Sequence, residues 1–171
     1  MKGSGCVSGL FYIKRTFLIG TGESKKGKRI SDRYYTVTYK NNKKAGIAAA
    51  SIKFRGKYKS AGTVKLSFEI RPVKPSIQKI TGVSGGILVK WKKAAQAGGY
   101  QIQYSENADF QGSSTHSVFA ESPSVTQKTL GKRKDGTGYY VRIRAYRTAR
   151  SESRQTKIYS AWSTPVRIRG K

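Results

Sequence analysis

Residues 85–169 contain a series of short segments in which every second residue is apolar, and this alternation constrains the fold more than any other feature of the chain. The segments cover residues 85–91, 99–104, 139–146 and 165–169. A period of two is typical of a β-strand with one face in a core and the other in water. Trp91 lies early in the series, and the pair Tyr139 and Tyr140 lies late. The pattern predicts an all-β fold, built as a β-sandwich.

The composition favours the same fold and argues against metal chemistry. Among 171 residues there are 11 tyrosines and 19 glycines but only one methionine, a balance that favours strands joined by many turns. The single cysteine, Cys6, allows no disulfide within the chain, so each domain must depend on its hydrophobic core. Cys6 and His116 together cannot supply a zinc ligand set, so we expect no metal site and no cofactor.

The net charge is strongly positive and evenly spread. The chain carries 35 lysine and arginine residues against 8 aspartate and glutamate residues, which gives +27 at pH 7. Residues 1–72 contribute +14 and residues 73–171 contribute +13, so the charge is not confined to a basic tail. Such a field attracts polyanions, whether nucleic acid, anionic glycan or wall polymer, and does not choose among them. Solubility with nonspecific attraction is the simpler alternative.

A proline pair marks the one clear domain boundary. Pro72 and Pro75 enclose a short basic link, and two prolines stiffen a link and remove backbone donors. The predicted organisation is therefore a first domain over residues 1–71, a linker over 72–75 and a second domain over 76–171.

No run of residues approaches the 18 apolar positions of a membrane span. Lys14 and Arg15 split the best signal-peptide candidate, so neither membrane insertion nor an export signal is predicted.

Three stretches in the first segment carry a resemblance. They are residues 35–46 (YTVTYKNNKKAG), 52–58 (IKFRGKY) and 68–70 (FEI). In order and spacing they resemble the small immunoglobulin-like repeats of Gram-positive bacterial surface proteins, over residues 31–71. That family has one or two further strands before this point, and residues 1–30 match them weakly. We therefore expect either a truncated immunoglobulin-like domain or one whose first strand is rebuilt.

Residues 76–170 carry a second resemblance, which covers nearly the whole second domain. Its parts are apolar alternation at residues 87–91 and 100–104, Leu130 followed by the alternating run 139–145, and residues 159–163 (YSAWS). Together they resemble a fibronectin type III domain, in which the tryptophan anchors the core and the late tyrosine caps a corner of the sandwich. Residues 105–127 depart most from the family. The resemblance implies a structural core of Trp91, Tyr104, Leu130, Tyr139, Val141 and Ile143.

The acidic residues and the histidine do not form a catalytic set. Glu69 lies on the solvent side of its predicted strand, and Glu106 and Asp109 belong to a polar turn. No buried aspartate is placed to orient His116. Lys40, with Asn41 and Asn42, supplies the residue types of the isopeptide crosslinks found in some Gram-positive immunoglobulin-like domains, but lacks an acidic catalyst, so a polar turn is predicted there. We expect a protein without catalytic residues.

One sheet face is the better candidate for function. If Tyr139, Val141 and Ile143 face the core, pleating turns the residues between them outward. In the fibronectin type III arrangement the third strand and the last strand share this sheet. Arginine binds carboxylates, sulfates and phosphates, and tyrosine stacks on sugars or bases. A ladder of arginine and aromatic residues, with Trp162 stacked on an arginine, would alternatively only stiffen the sheet. The predicted polyanion-binding face comprises Arg142, Arg144, Arg167, Arg169, Tyr140, Tyr146, Gln101, Gln103 and Trp162.

The two resemblances imply a non-catalytic, extracellular binding and spacer module of a modular bacterial cell-surface or wall-associated protein. Its expected partner is an anionic polysaccharide or wall polymer, or another surface protein, and its expected place is the cell surface, within a larger parent. Two alternatives stay open. One is a nonspecific nucleic-acid-binding protein, and the other is an accessory domain of a secreted hydrolase.

Overall fold

The computed structural model describes residues 18–19, 28–84, 86–131, 136–151 and 154–169. It confirms the all-β prediction, since the helices of these residues are two short 3₁₀ helices, Asp32–Tyr34 and Gly56–Ala61. Neither could cross a membrane, because neither is long and apolar enough. The chain divides into two compact units, Met1–Ile70 and Arg71–Lys171.

The first unit is built around one antiparallel sheet. Its strands are β1 (Leu18–Ile19), β2 (Lys28–Arg29), β3 (Tyr35–Lys40), β4 (Gly46–Phe54) and β5 (Thr63–Ile70). Strands β1 and β2 pair with each other, and β4 lies between β3 and β5. The alternating apolar residues of β4 are buried, and Ile52 packs in a small cluster with Ile30, Tyr35 and Phe54.

The edge strands of this sheet are less buried than their alternation predicts. Tyr39 on β3, and Val64 and Leu66 on β5, lie on the same face as Ile52, yet 44%, 39% and 46% of their surfaces stay exposed. The central strand is covered from both sides by its neighbours, whereas an edge strand has a neighbour on one side only. Apolar alternation in this unit therefore indicates the face of each residue but not its burial.

The second unit is a sandwich of two antiparallel sheets. Its strands are β6 (Ser76–Val83), β7 (Gly86–Lys92), β8 (Gly99–Ser105), β9 (His116–Ala120), β10 (Gln127–Leu130), β11 (Tyr139–Ser151), β12 (Arg154–Tyr159) and β13 (Val166–Ile168). One sheet has the order β10-β7-β6. The other has the order β12-β11-β8-β9, with β13 paired to the first half of β11.

The core of the sandwich lies between these sheets. Trp91 is only 1% exposed and meets Tyr100 edge to face, with ring centroids 5.3 Å apart. Of the other predicted core residues, the structure buries Leu130, Tyr139, Val141 and Ile143. Tyr104 lies at the margin of the core, partly buried and 6.1 Å from the ring of Tyr139.

The predicted linker belongs structurally to the second unit. Pro72 and Pro75 are buried, and the backbone N–H of Val73 donates to the carbonyl of Ala95 at 3.2 Å. Residues 72–75 therefore lie against the sandwich that follows them.

Candidate functional site

The outer face of the five-stranded sheet brings together most of the predicted polyanion-binding residues. Strand register places Arg142 opposite Gln103 and Arg144 opposite Gln101. Arg142 donates from Nε and Nη2 to Oε1 of Gln103, at 2.9 and 2.8 Å, and Arg144 donates from Nε to Oε1 of Gln101 at 2.8 Å. Both glutamines donate in turn to Oγ of Ser117, at 3.2 and 3.1 Å. These bonds fix both guanidinium groups across the sheet.

The same guanidinium groups stack between aromatic rings. Cζ of Arg144 lies 3.7 Å from the ring centroid of Tyr159 and 4.3 Å from that of Trp162. Cζ of Arg142 lies 4.4 Å from Trp162 and 4.0 Å from Phe110. We call these five residues the arginine ladder. Each cation–π contact stabilises the fold by about 0.5–2 kcal/mol, depending on its exposure to solvent.

Partial burial also changes the electrostatics of the two ladder arginines. Loss of solvent around the two guanidinium groups lowers the pKa of both Arg142 and Arg144. Both still carry their charge at neutral pH, because arginine titrates far above it. Two guanidinium groups lie close to the Trp162 ring, so cations from within the chain already stack on this indole.

A break in the last strand places Trp162 on the ladder. Between β12 and β13, Ser160 and Ser163 replace regular pairing: their backbone N–H groups donate to the carbonyls of Ala145 and Ile143 at 2.9 and 2.7 Å. Their Oγ atoms accept the N–H groups of the same two residues, both at 3.0 Å. The β11 backbone groups therefore keep partners while the chain leaves the regular strand path. This satisfies buried polar groups that would otherwise destabilise the edge of the sheet.

Phe110 closes the other end of the ladder from a constrained loop. Its φ of 58° lies in the left-handed region, which costs a residue other than glycine about 1–3 kcal/mol. The ring is nevertheless buried, beneath Arg142. Ser105 anchors the loop, since its Oγ accepts from N–H of Asn107 at 3.2 Å and from Oγ1 of Thr115 at 3.0 Å. The polar stretch that departs most from the family pattern thus supplies an aromatic ring to the ladder.

Tyr146 lies on the predicted face but is covered. Only 4% of its surface is exposed, because Phe119 and Tyr159 lie 6.1 and 6.0 Å away, centroid to centroid, and Nζ of Lys157 lies 4.6 Å from its ring. Gly99 leaves room for it, since a Cβ there would meet Oη of Tyr146 at 2.5 Å. Burial raises the pKa of the Tyr146 phenol. Tyr146 is therefore a packing residue and is not accessible to a polymer.

The remaining predicted residues lie at the open end of the face. Arg167 and Arg169 are exposed, and Cζ of Arg167 lies 5.7 Å from the ring of the half-buried Tyr140. The nine predicted residues therefore fall into two groups. Six are engaged in packing and hydrogen bonds within the sheet, and only Tyr140, Arg167 and Arg169 present an open surface.

The residues weighed for chemistry are dispersed over the surface. His116 is exposed and stacks on Tyr104 with ring centroids 5.0 Å apart. Asp109 is exposed, and its Oδ1 accepts the N–H of Gln111 at 3.0 Å, a turn contact. Asn41 has a φ of 59° in an exposed turn after β3. Within the described ranges, no three His, Cys, Asp or Glu residues are grouped so that they could hold a metal ion.

Two ladder residues, Tyr159 and Phe110, were not identified as functional from the sequence, nor were the neighbouring Ser160, Ser163 and Phe119. Tyr159 and the two serines flank Trp162 in the YSAWS motif, so a serine spacing of three around a tryptophan was a usable signal. Phe110 and Phe119 had no such signal. The contact of Phe110 depends on the path of the loop between β8 and β9, and that of Phe119 depends on the pairing of β9 with β8.

No protein-family model matches the chain, and no curated protein is significantly similar to it. The resemblances to immunoglobulin-like repeats and to fibronectin type III domains therefore stay predictions. Function has to be inferred from the surfaces described above.

Proposed function

We propose that the chain is a non-catalytic binding and spacer module of a modular bacterial cell-surface or wall-associated protein, and that its exposed cations contact anionic polymers. The observation that carries the proposal is the net charge of +27 together with exposed lysines on the described strands of both units. The outward positions of the first sheet carry Lys40, Lys53 and Lys65, and those of the second unit carry Lys79, Lys90 and Lys92, all exposed. Cations of this kind attract a polyanion over a wide area.

The spacer role is supported by the way the second unit is braced. The arginine ladder, the two serines beside Trp162 and the anchored loop of Phe110 tie both edges of the larger sheet to its centre. Such a sheet resists deformation because each contact would be lost together with its neighbours. A rigid sandwich suits a module that holds another domain away from a surface.

Two of the three aromatic rings on the predicted face are already engaged within the chain, which favours a partner without bases. Proteins that hold single-stranded nucleic acid use exposed aromatic rings on which successive bases stack. In the second unit, Trp162 is stacked on arginines and Tyr146 is buried. Charge attraction to nucleic acid is still available to this surface, but stacking at these rings is not.

The test is a comparison of polymers at matched ionic strength. The full chain is titrated with poly(glycerol phosphate), with heparin and with single-stranded DNA, at about 0.15 M salt and at several other concentrations. We expect poly(glycerol phosphate) or heparin to remain bound at 0.15 M salt and DNA to bind more weakly. A DNA preference that survives physiological salt would favour a nucleic-acid-binding protein. Equal and steeply salt-sensitive binding of all three polymers would mean that the chain binds polyanions by electrostatic attraction alone, without preference for one of them.

A further inference from the structure

Three lysines share the outer face of the β10-β7-β6 sheet. On β7, Val89 and Trp91 are buried in the core, so Lys90 and Lys92 point outward and are exposed. Lys79 on β6 pairs directly with Lys90 and is exposed as well. We call Lys79, Lys90 and Lys92 the lysine face.

A β-bulge places Lys79 on this face. Ile77 pairs with Trp91 and Lys79 pairs with Lys90, so Gln78 is an extra residue in β6. Without it, simple alternation would put Gln78 opposite Lys90 and turn Lys79 toward the core. With it, Ile77 and Ile80 both pack against the core while Lys79 emerges beside a second lysine. Bulges commonly re-aim a side chain in this way.

The resulting arrangement opposes like charges. Residues directly paired across antiparallel strands have Cβ atoms about 4.5–5.5 Å apart, and like charges in such a pair destabilise the sheet. Lys92 lies two residues further along β7, about 7 Å away. Strands β6, β7 and β10 contain no acidic residue, and the three ammonium groups have no hydrogen-bond or ion-pair partner among the described residues. Because the pairing of Lys79 with Lys90 lowers the local stability of the sheet, these lysines are expected to serve a function.

The composition of the face indicates what would bind there. Lysine offers a compact point charge that suits phosphate without fixing its orientation. The outward positions of the three strands carry no aromatic side chain on which a base could stack. We infer that the lysine face binds a flexible, linear phosphodiester polymer without bases. This inference rests on the proposed function and specifies its surface and ligand.

The test compares two triple variants that remove the same charge. K79Q/K90Q/K92Q neutralises the lysine face, and K40Q/K53Q/K65Q neutralises three exposed lysines on the outer face of the first unit's sheet. Labelled poly(glycerol phosphate) of defined length is titrated into the full chain and into both variants, at several salt concentrations. We expect K79Q/K90Q/K92Q to bind about tenfold more weakly or worse, and its slope of log K against log salt to flatten by about 2. The control also removes exposed cations that attract the polymer, but it is expected to weaken binding by only about threefold or less, clearly less than K79Q/K90Q/K92Q.

The outcomes separate this inference from the proposed function. If the parent chain binds none of the base-free polyanions at physiological salt, neither poly(glycerol phosphate) nor heparin nor any other, the proposed function is wrong. If the parent binds, and either both variants lose affinity equally or K79Q/K90Q/K92Q binds as tightly as the parent, only the assignment of the lysine face is wrong. Length-matched single-stranded DNA that binds more tightly than poly(glycerol phosphate), and depends on the same three lysines, would overturn the assignment of a base-free ligand. The β-sheet circular dichroism spectrum and its thermal melting verify that each variant is folded.

Discussion

The two outer faces of the second unit both carry cations, but use them differently. On the larger sheet, Arg142 and Arg144 lie opposite glutamines and between aromatic rings. On the smaller sheet, Lys79 lies opposite Lys90, with no described partner for either ammonium group. The first arrangement engages the positive charge in contacts within the sheet. The second presents it to solvent and to whatever negative charge lies there.

The difference teaches that a count of basic residues does not measure the charge available to a partner. What matters is the residue that strand register places opposite each cation, and how much of the cation is buried. An arginine whose Nε donates a hydrogen bond and whose guanidinium plane stacks on aromatic rings stabilises the sheet. A bound anion would instead stabilise two facing lysines, because it relieves their repulsion. The following variants test this contrast.

The largest effect is expected from Trp162→Ala. It removes the ring shared by both ladder arginines, and we expect the free energy of unfolding of the second unit to fall by about 2–3 kcal/mol. Urea unfolding measures it, with Trp91→Ala as the reference for a fully buried ring, at about 3–5 kcal/mol. A change below about 0.5 kcal/mol would mean that the ladder does not stabilise the sheet.

The next effect is expected from replacing both ladder arginines by lysine, R142K/R144K. The charge is kept, but the planar groups that stack on Trp162 and bond to the glutamines are lost. We expect the free energy of unfolding to fall by about 1–2 kcal/mol while affinity for poly(glycerol phosphate) stays within twofold. A variant as stable as the parent would show that charge alone, and not stacking geometry, holds this face.

Lys79→Glu is expected to change stability less than the two preceding variants, and to increase it. The bulge would then place a carboxylate opposite Lys90, so a repulsive cross-strand pair becomes attractive. We expect the melting temperature to rise by about 1–4 °C and affinity for poly(glycerol phosphate) to fall. Lys79→Gln controls for the loss of the positive charge alone, and a melting temperature below that of the parent would contradict the pairing described here.

The smallest effect concerns pH. Burial raises the pKa of Tyr146, so the folded state favours the neutral phenol more than the unfolded chain does, where the pKa is about 10. The stability from this group is complete below that value and is lost as pH rises through the folded pKa. We expect Tyr146→Phe to lose stability less steeply than the parent above about pH 10. Identical slopes in urea unfolding at pH 8 to 11 would count against burial as the cause.

Alternation in the sequence predicted the faces of β7, β8 and β11 and the buried position of Trp91, because a period of two follows directly from strand pleating. It could not predict the bulge at Gln78, since the extra residue becomes visible only when β6 is aligned with β7. It also assigned Tyr146 to an open surface, because alternation gives the side of a sheet and not what covers it. Phe119, Tyr159 and Lys157 cover it through contacts between strands distant in the chain.

The most direct measurement is the free energy of unfolding of two double variants that each remove two positive charges, R142Q/R144Q and K79Q/K90Q. If ladder arginines brace the sheet and facing lysines repel, R142Q/R144Q loses about 2–3 kcal/mol and K79Q/K90Q loses nothing or becomes slightly more stable. Equal losses in the two variants, or a larger loss in K79Q/K90Q, would contradict the distinction between the two faces.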